Sequence, residues 1–231
     1  MGFQDFHAAA AAQGRRTLGW LALFGIAMGY FEAAVVVDLR ALFCPGDILF
    51  PIRVSVDLLG CIEIGREFFS LVMLAAAAGL AAPSLAAWFA NFMILFGIWD
   101  IFYYVFLKLL IGWPASLMTW DLLFLIPVPW ASPVLAPVLI SLLMIGAGIG
   151  IWRLAARGSA WRCPAAALAA LLAGAILVLW SFWFDWRQLA AGGVPSDYPW
   201  GLFAAGFLLM AGAFAACHHT SRRIIGHEPP S

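Results

Sequence analysis

Six stretches of this chain, at about residues 17–37, 58–82, 85–113, 133–154, 163–184 and 200–217, are predominantly apolar and about twenty residues long. That length carries an α-helix across the ~30 Å hydrocarbon core of a bilayer. In hydrocarbon every backbone N–H and C=O must be satisfied within the protein, so each stretch is expected to be a helix. Composition agrees: 65% of the 231 residues are hydrophobic and 10% charged, against about 25% charged in soluble domains. The expectation is an all-α membrane protein of six transmembrane helices. Residues 1–16 then form an N-terminal segment, 17–217 a single transmembrane domain and 218–231 a C-terminal tail.

Residues 1–14 are Ala-rich and contain Asp5, and Arg15 and Arg16 follow the alanines. A signal peptide places its positive charge first, so this segment reads as a loose leader. The residues from Asp38 to Asp57 include Arg40, Asp47 and Arg53 besides two prolines and read as a loop. Between the third and fourth spans, residues 114–130 are too short to cross twice and too apolar for an ordinary loop. Pro114 suits a first helical turn, and Pro127, Pro129, Pro133 and Pro137 interrupt regular structure. A Pro-broken half-helix or an interfacial helix is expected there, the latter suggested by Trp113, Trp120 and Trp130.

Six crossings place both termini on one side. Seven arginines (15, 16, 153, 157, 162, 222 and 223) fall on that side and three (40, 53 and 187) on the other. Positive loop charge is retained in the cytoplasm, so the expected location is the plasma (inner) membrane, multi-pass, with cytoplasmic termini. The 38–57, 113–132 and 185–199 loops then face outward.

Charge inside the spans is the informative exception. Ionisable side chains cost roughly 2.5 to 3.5 kcal/mol at the centre of a membrane helix on insertion scales, and are usually paired, wetted or functional. Helical spacing sets Glu63 beside Arg66 and Glu67 on the second span. Glu32 lies on the first span on the face of a Gly25/Gly29 G-x-x-x-G pair. Asp100, Tyr104 and Lys108 form an i, i+4, i+8 stripe on the third. With the expected orientation these converge in the outer half of the bundle, as a funnel closed by apolar packing below. Asp121, Asp185 and Arg187 lie in outward loops, where a surface role is the simplest reading, and Asp121 is kept among the candidates. The candidate ligand-binding set is Glu32, Glu63, Arg66, Glu67, Asp100, Tyr104, Lys108 and Asp121. Gly29, Gly60 and Gly97 each precede an acid by three residues, a clue to close helix packing beside the carboxylates.

The balance of 12 basic and 12 acidic residues argues against nucleic acid. The four histidines lie in the end segments and the four cysteines form no C-x-x-C, which excludes haem, zinc and His-ligated di-iron sites from the membrane core. Cys44 and Cys61 are both expected on the outer side, but a loop position and a helix position make a poor disulfide pair. No H-E-x-x-H, G-x-S-x-G, Walker or dinucleotide motif occurs. No catalytic residue, metal or cofactor is assigned. The partners expected are the lipid bilayer, a small solute, ion or lipid ligand, and a membrane protein. Three function classes follow: small-solute or ion binding and transport, an enzyme acting on a lipid or prenyl substrate at the outer leaflet, and an accessory subunit of a membrane complex. Transport is favoured, because almost no chain lies outside the bundle and no nucleophile has an evident base.

Overall fold

A computed structural model describes residues 3–43, 58–155 and 161–223. The chain is mostly helical: α1 (Phe3–Phe43), α2 (Leu58–Leu80), α3 (Leu85–Ile111), α4 (Leu135–Ala155), α5 (Ala165–Phe182), the short α6 (Trp186–Ala190) and α7 (Trp200–Arg223). Among the described residues five segments are long and apolar enough to cross a membrane, namely Arg16–Ala41, Leu85–Ile111, Leu135–Ala155, Ala165–Ala190 and Trp200–Arg222. α2 is also 23 residues long and differs in carrying Glu63, Arg66 and Glu67. Large apolar side chains, among them Trp20, Phe31, Phe69, Leu172 and Leu208, are exposed around the bundle. A solvent of hydrocarbon accounts for apolar exposure on this scale.

Glycines set the packing. A Cβ on Gly25 would lie 2.9 Å from the Ile98 side chain, and one on Gly29 2.8 Å from Phe102. Both contacts advance along α1 and α3 together, so these helices run parallel. On α3, a Cβ at Gly97 would lie 2.6 Å from the Ser141 carbonyl oxygen, and at Gly148 on α4 one would lie 2.6 Å from Ile94. That pairing is antiparallel, as is α5 against α7, where Gly174 and Gly206 meet. Small residues that let backbones approach are the usual adhesive of membrane helices. Because the turn at 81–84 is tight, α2 runs back along α3. Ser84 accepts from the Ala87 N–H at the start of α3, and Gly112, with φ 71°, closes its C-terminus by donating to the Lys108 carbonyl. α1, α3 and α4 thus form one tightly packed group and α5 with α7 another.

Several expectations are corrected. α1 runs from Phe3 to Phe43, so residues 3–14 of the expected leader and the first six residues of the expected 38–57 loop are helical. Arg40 sits in its last turn, where a cation suits the helix dipole. The remainder of that loop, with Cys44, Asp47, Arg53 and Asp57, lies outside the described residues. The mostly helical chain is consistent with an all-α membrane protein, but in place of the expected half-helix or interfacial helix over 114–130 it carries a two-stranded β-hairpin. Strand β1 (Trp120–Phe124) pairs antiparallel with β2 (Trp130–Pro133), matching Trp120 with Pro133, Asp121 with Ser132 and Phe124 with Trp130 across a bulge. Pro127 and Pro129 occupy the connecting turn, where neither has to donate to a helix or ladder, and the aromatic strand ends suit a pleated surface. Aromatic rings cover the hairpin: Phe124 meets Trp99, Trp130 meets Phe182 and Trp183, and Trp120 meets Tyr198. Buried non-helical backbone is tolerated where its polar groups are satisfied within the protein. At the opposite end Cys163 is bonded to Cys217, a pairing the absence of C-x-x-C did not suggest.

Candidate functional site

The hairpin, the C-terminal halves of α1 and α3 and the start of α2 meet at one end of the bundle, and most of the buried charge collects there. Arg66 projects from α2 and bridges two helices. Its Nε donates to Glu63 Oε2 at 2.8 Å, its NH2 group to the other oxygen of Glu63, and its NH1 group to Glu32 on α1. One helical turn on, Glu67 is buried, and its two oxygens accept the Leu125 N–H of the hairpin at 3.1 and 2.9 Å. Glu63 and Glu67 therefore do different work. One neutralises Arg66, and the other satisfies a backbone donor that the hairpin turn leaves unpaired.

A second group centres on Asp121, which is 1% exposed. The surface reading of this residue is therefore overturned: the β1 strand turns Asp121 into the bundle. Arg40 approaches its Oδ1 at 3.3 Å, and the Tyr103 hydroxyl donates to its Oδ2 at 3.4 Å. The Arg40 guanidinium also lies 3.8 Å from the ring centroid of Trp113, a cation–π contact. Burial, partly offset by Arg40, raises the Asp121 pKa to about 6. Asp100 is held separately, accepting the Ser141 hydroxyl at 2.9 Å. The close approach at Gly97 brings α4 near enough for that bond. Leu21, Met28, Leu74, Ala78, Leu95 and Trp99 form an apolar cluster among α1, α2 and α3.

Of the residues expected to form the site, Glu32, Glu63, Arg66 and Glu67 form one connected group, and Asp100 and Asp121 flank Tyr103 and Tyr104. Tyr104 is buried, with its hydroxyl toward Asp121. Lys108 stands apart. It is exposed and donates to the carbonyls of Gly112 and Pro114 at 2.8 and 2.9 Å, capping α3 rather than facing the carboxylates. Arg187 is exposed as expected, and Asp185 is half-buried and accepts from Ser196. Ser141, Tyr103 and Arg40 complete the site and were not candidates. A lone serine in an apolar span and an arginine at a loop boundary carry no distinctive pattern.

The electrostatics are lopsided. Glu32, Glu63, Glu67, Asp100 and Asp121 supply five carboxyl groups, against the two guanidiniums of Arg40 and Arg66. Donors are also in surplus: Arg40 Nε, Trp99 Nε1, Trp130 Nε1 and Trp183 Nε1 are buried without an acceptor among the described residues. Among those residues no three His, Cys, Asp or Glu side chains gather as a metal site would require. No family model, curated protein or solved structure matches this chain.

Proposed function

We propose that this protein crosses the bilayer six times and binds a proton or small cationic solute in the carboxylate cluster at its hairpin end, as part of transport. The excess of five carboxyls over two guanidiniums among the described residues carries the reading. Surplus carboxylates within a membrane bundle favour taking up protons or pairing with a cation, since an unpaired charge there is costly. Indole donors without acceptors among the described residues supply the complementary polarity that a solute with oxygen atoms would use. The sixth crossing is α2. Because α1 and α3 run parallel, the chain must return between them, and α2 is the helix that does so. The arginine distribution supports an outward-facing site in the inner membrane, with cytoplasmic termini.

Asp100 tests the reading, as a carboxylate within α3 held by a neutral partner. Purified protein is reconstituted into liposomes, and proton and sodium fluxes are measured under an imposed potential alongside thermal stability of the same preparation. Asp100→Asn is expected to abolish flux while the protein stays folded, and Asp197→Asn, in an exposed loop, to leave flux unchanged. If the carboxylates serve only helix packing, Asp100→Asn instead lowers the melting temperature and leaves activity per folded molecule intact. That result rejects the site.

A further inference from the structure

At the end of the bundle opposite the hairpin, a cavity of about 320 Å³ opens between α4 and α7, lined by Gly146, Gly150, Arg153, Phe214, His218 and Arg222. Its origin lies in the packing. α4 is committed to α3 and α7 to α5, and the two groups touch only sparsely, with Gly150 against Phe214 as one point of contact. The volume is at the lower end of the roughly 300 to 1,000 Å³ of small-molecule sites.

The lining is divided by depth. Arg153 lies in the last turn of α4 and Arg222 near the end of α7, both exposed, where a crossing helix reaches the headgroup layer. Gly146, Gly150 and Phe214 lie one to two turns deeper and are apolar. Among the described residues neither arginine has a carboxylate partner, and the described acidic side chains, Glu32, Asp38, Glu63, Glu67, Asp100, Asp121, Asp185 and Asp197, all belong to the other end of the bundle or its loops. Relief of the helix dipoles explains one cation per C-terminus; it does not explain a cavity between them with an apolar floor. A ligand that fits must carry an anionic head at interfacial depth and an apolar tail below it.

We propose that this crevice binds an anionic phospholipid, with the phosphate between Arg153 and Arg222 beside His218 and an acyl chain along Gly146, Gly150 and Phe214. Basic pockets between membrane helices recognise lipid phosphates in this manner. The site is independent of the carboxylate cluster and stands or falls without it.

The test uses the full chain purified in a neutral detergent, with phosphatidylglycerol, phosphatidylcholine of the same chains and inorganic phosphate compared by native mass spectrometry and thermal shift. Wild type is expected to retain phosphatidylglycerol and to be stabilised by it, with little response to the other two. R153Q/R222Q should reduce retention about tenfold or more, since each arginine contributes to anionic-lipid attraction, while R153K/R222K keeps most of it. Gly146→Leu retains both charges and fills the apolar floor, where a Cβ meets nothing within 4 Å; it should also weaken phosphatidylglycerol. It keeps the test decisive if the double variant does not fold. Equal retention of phosphatidylcholine, undiminished retention by R153Q/R222Q or Gly146→Leu, or an equal shift with inorganic phosphate, which would mark a free-anion site, overturns the proposal.

Discussion

Asp121 has a charged partner on only one of its oxygens, and the tyrosine hydroxyl on the other is a neutral donor. Burial raises its pKa from 3.8 to about 6, which makes folding stability depend on pH with a definite sign. Below about pH 4 the carboxyl is protonated in both folded and unfolded chains and contributes no difference. Between about pH 4 and 6 the unfolded chain ionises first, so stability falls as pH rises; above about pH 6 both forms are ionised and the loss is complete. Asp121→Asn cannot ionise and should show a flatter stability profile over that interval than wild type, measured by thermal unfolding in detergent. Parallel profiles for the two proteins would show that Asp121 does not titrate in this range.

α2 is the least firmly packed long helix, since its described packing is chiefly against α3. Arg66–Glu32 and Glu67 to Leu125 N–H tie its first half to α1 and the hairpin. Removing one partner of a fully buried ion pair costs roughly 3 to 5 kcal/mol; the Arg66 side chain is 16% exposed, so Arg66→Met should cost less. It should also leave Glu32 and Glu63 without a counter-charge. Hydrogen exchange should accelerate over residues 58–67 and stay unchanged over the middle of α3, and adding Glu32→Gln and Glu63→Gln should restore protection. Unaltered exchange in α2 would show that the pair does not tether it. The sequence revealed this group because charges in an apolar run stand out and i+3 spacing fixes Glu63 beside Arg66. It did not reveal the hairpin partner of Glu67. The prolines at 127 and 129 signal a break without saying whether the flanking residues coil or pair, and the alternation Trp120, Leu122, Phe124 is too short to separate a strand from a helix by period alone. Asp121 was misread for the same reason: its burial follows from the strand register, which pairs it with Ser132.

At the scale of the whole molecule the helix boundaries were legible, because length and apolarity are what a bilayer demands, and the helices end within a few residues of expectation except for α1 and α7, which run longer. Orientation is a different matter. Arginines at the α4 and α7 ends favour a cytoplasmic placement, whereas Cys163 and Cys217, bonded at that same end, favour an oxidising compartment. Labelling single cysteines in a cysteine-free chain with an impermeant thiol reagent on intact cells decides between them. Leu58, 75% exposed at the start of α2, and Ser116 beside the hairpin should both react as cysteines from outside. Pro83, exposed in the turn between α2 and α3, should react as cysteine only after permeabilisation. If positions 58 and 83 react from the same side, α2 does not cross and the six-span reading fails, because only a return along α2 makes α1 and α3 parallel. If position 83 reacts from outside and 58 and 116 do not, the whole arrangement is inverted: the carboxylate cluster opens to the cytoplasm, and the disulfide, not the arginines, reports the compartment.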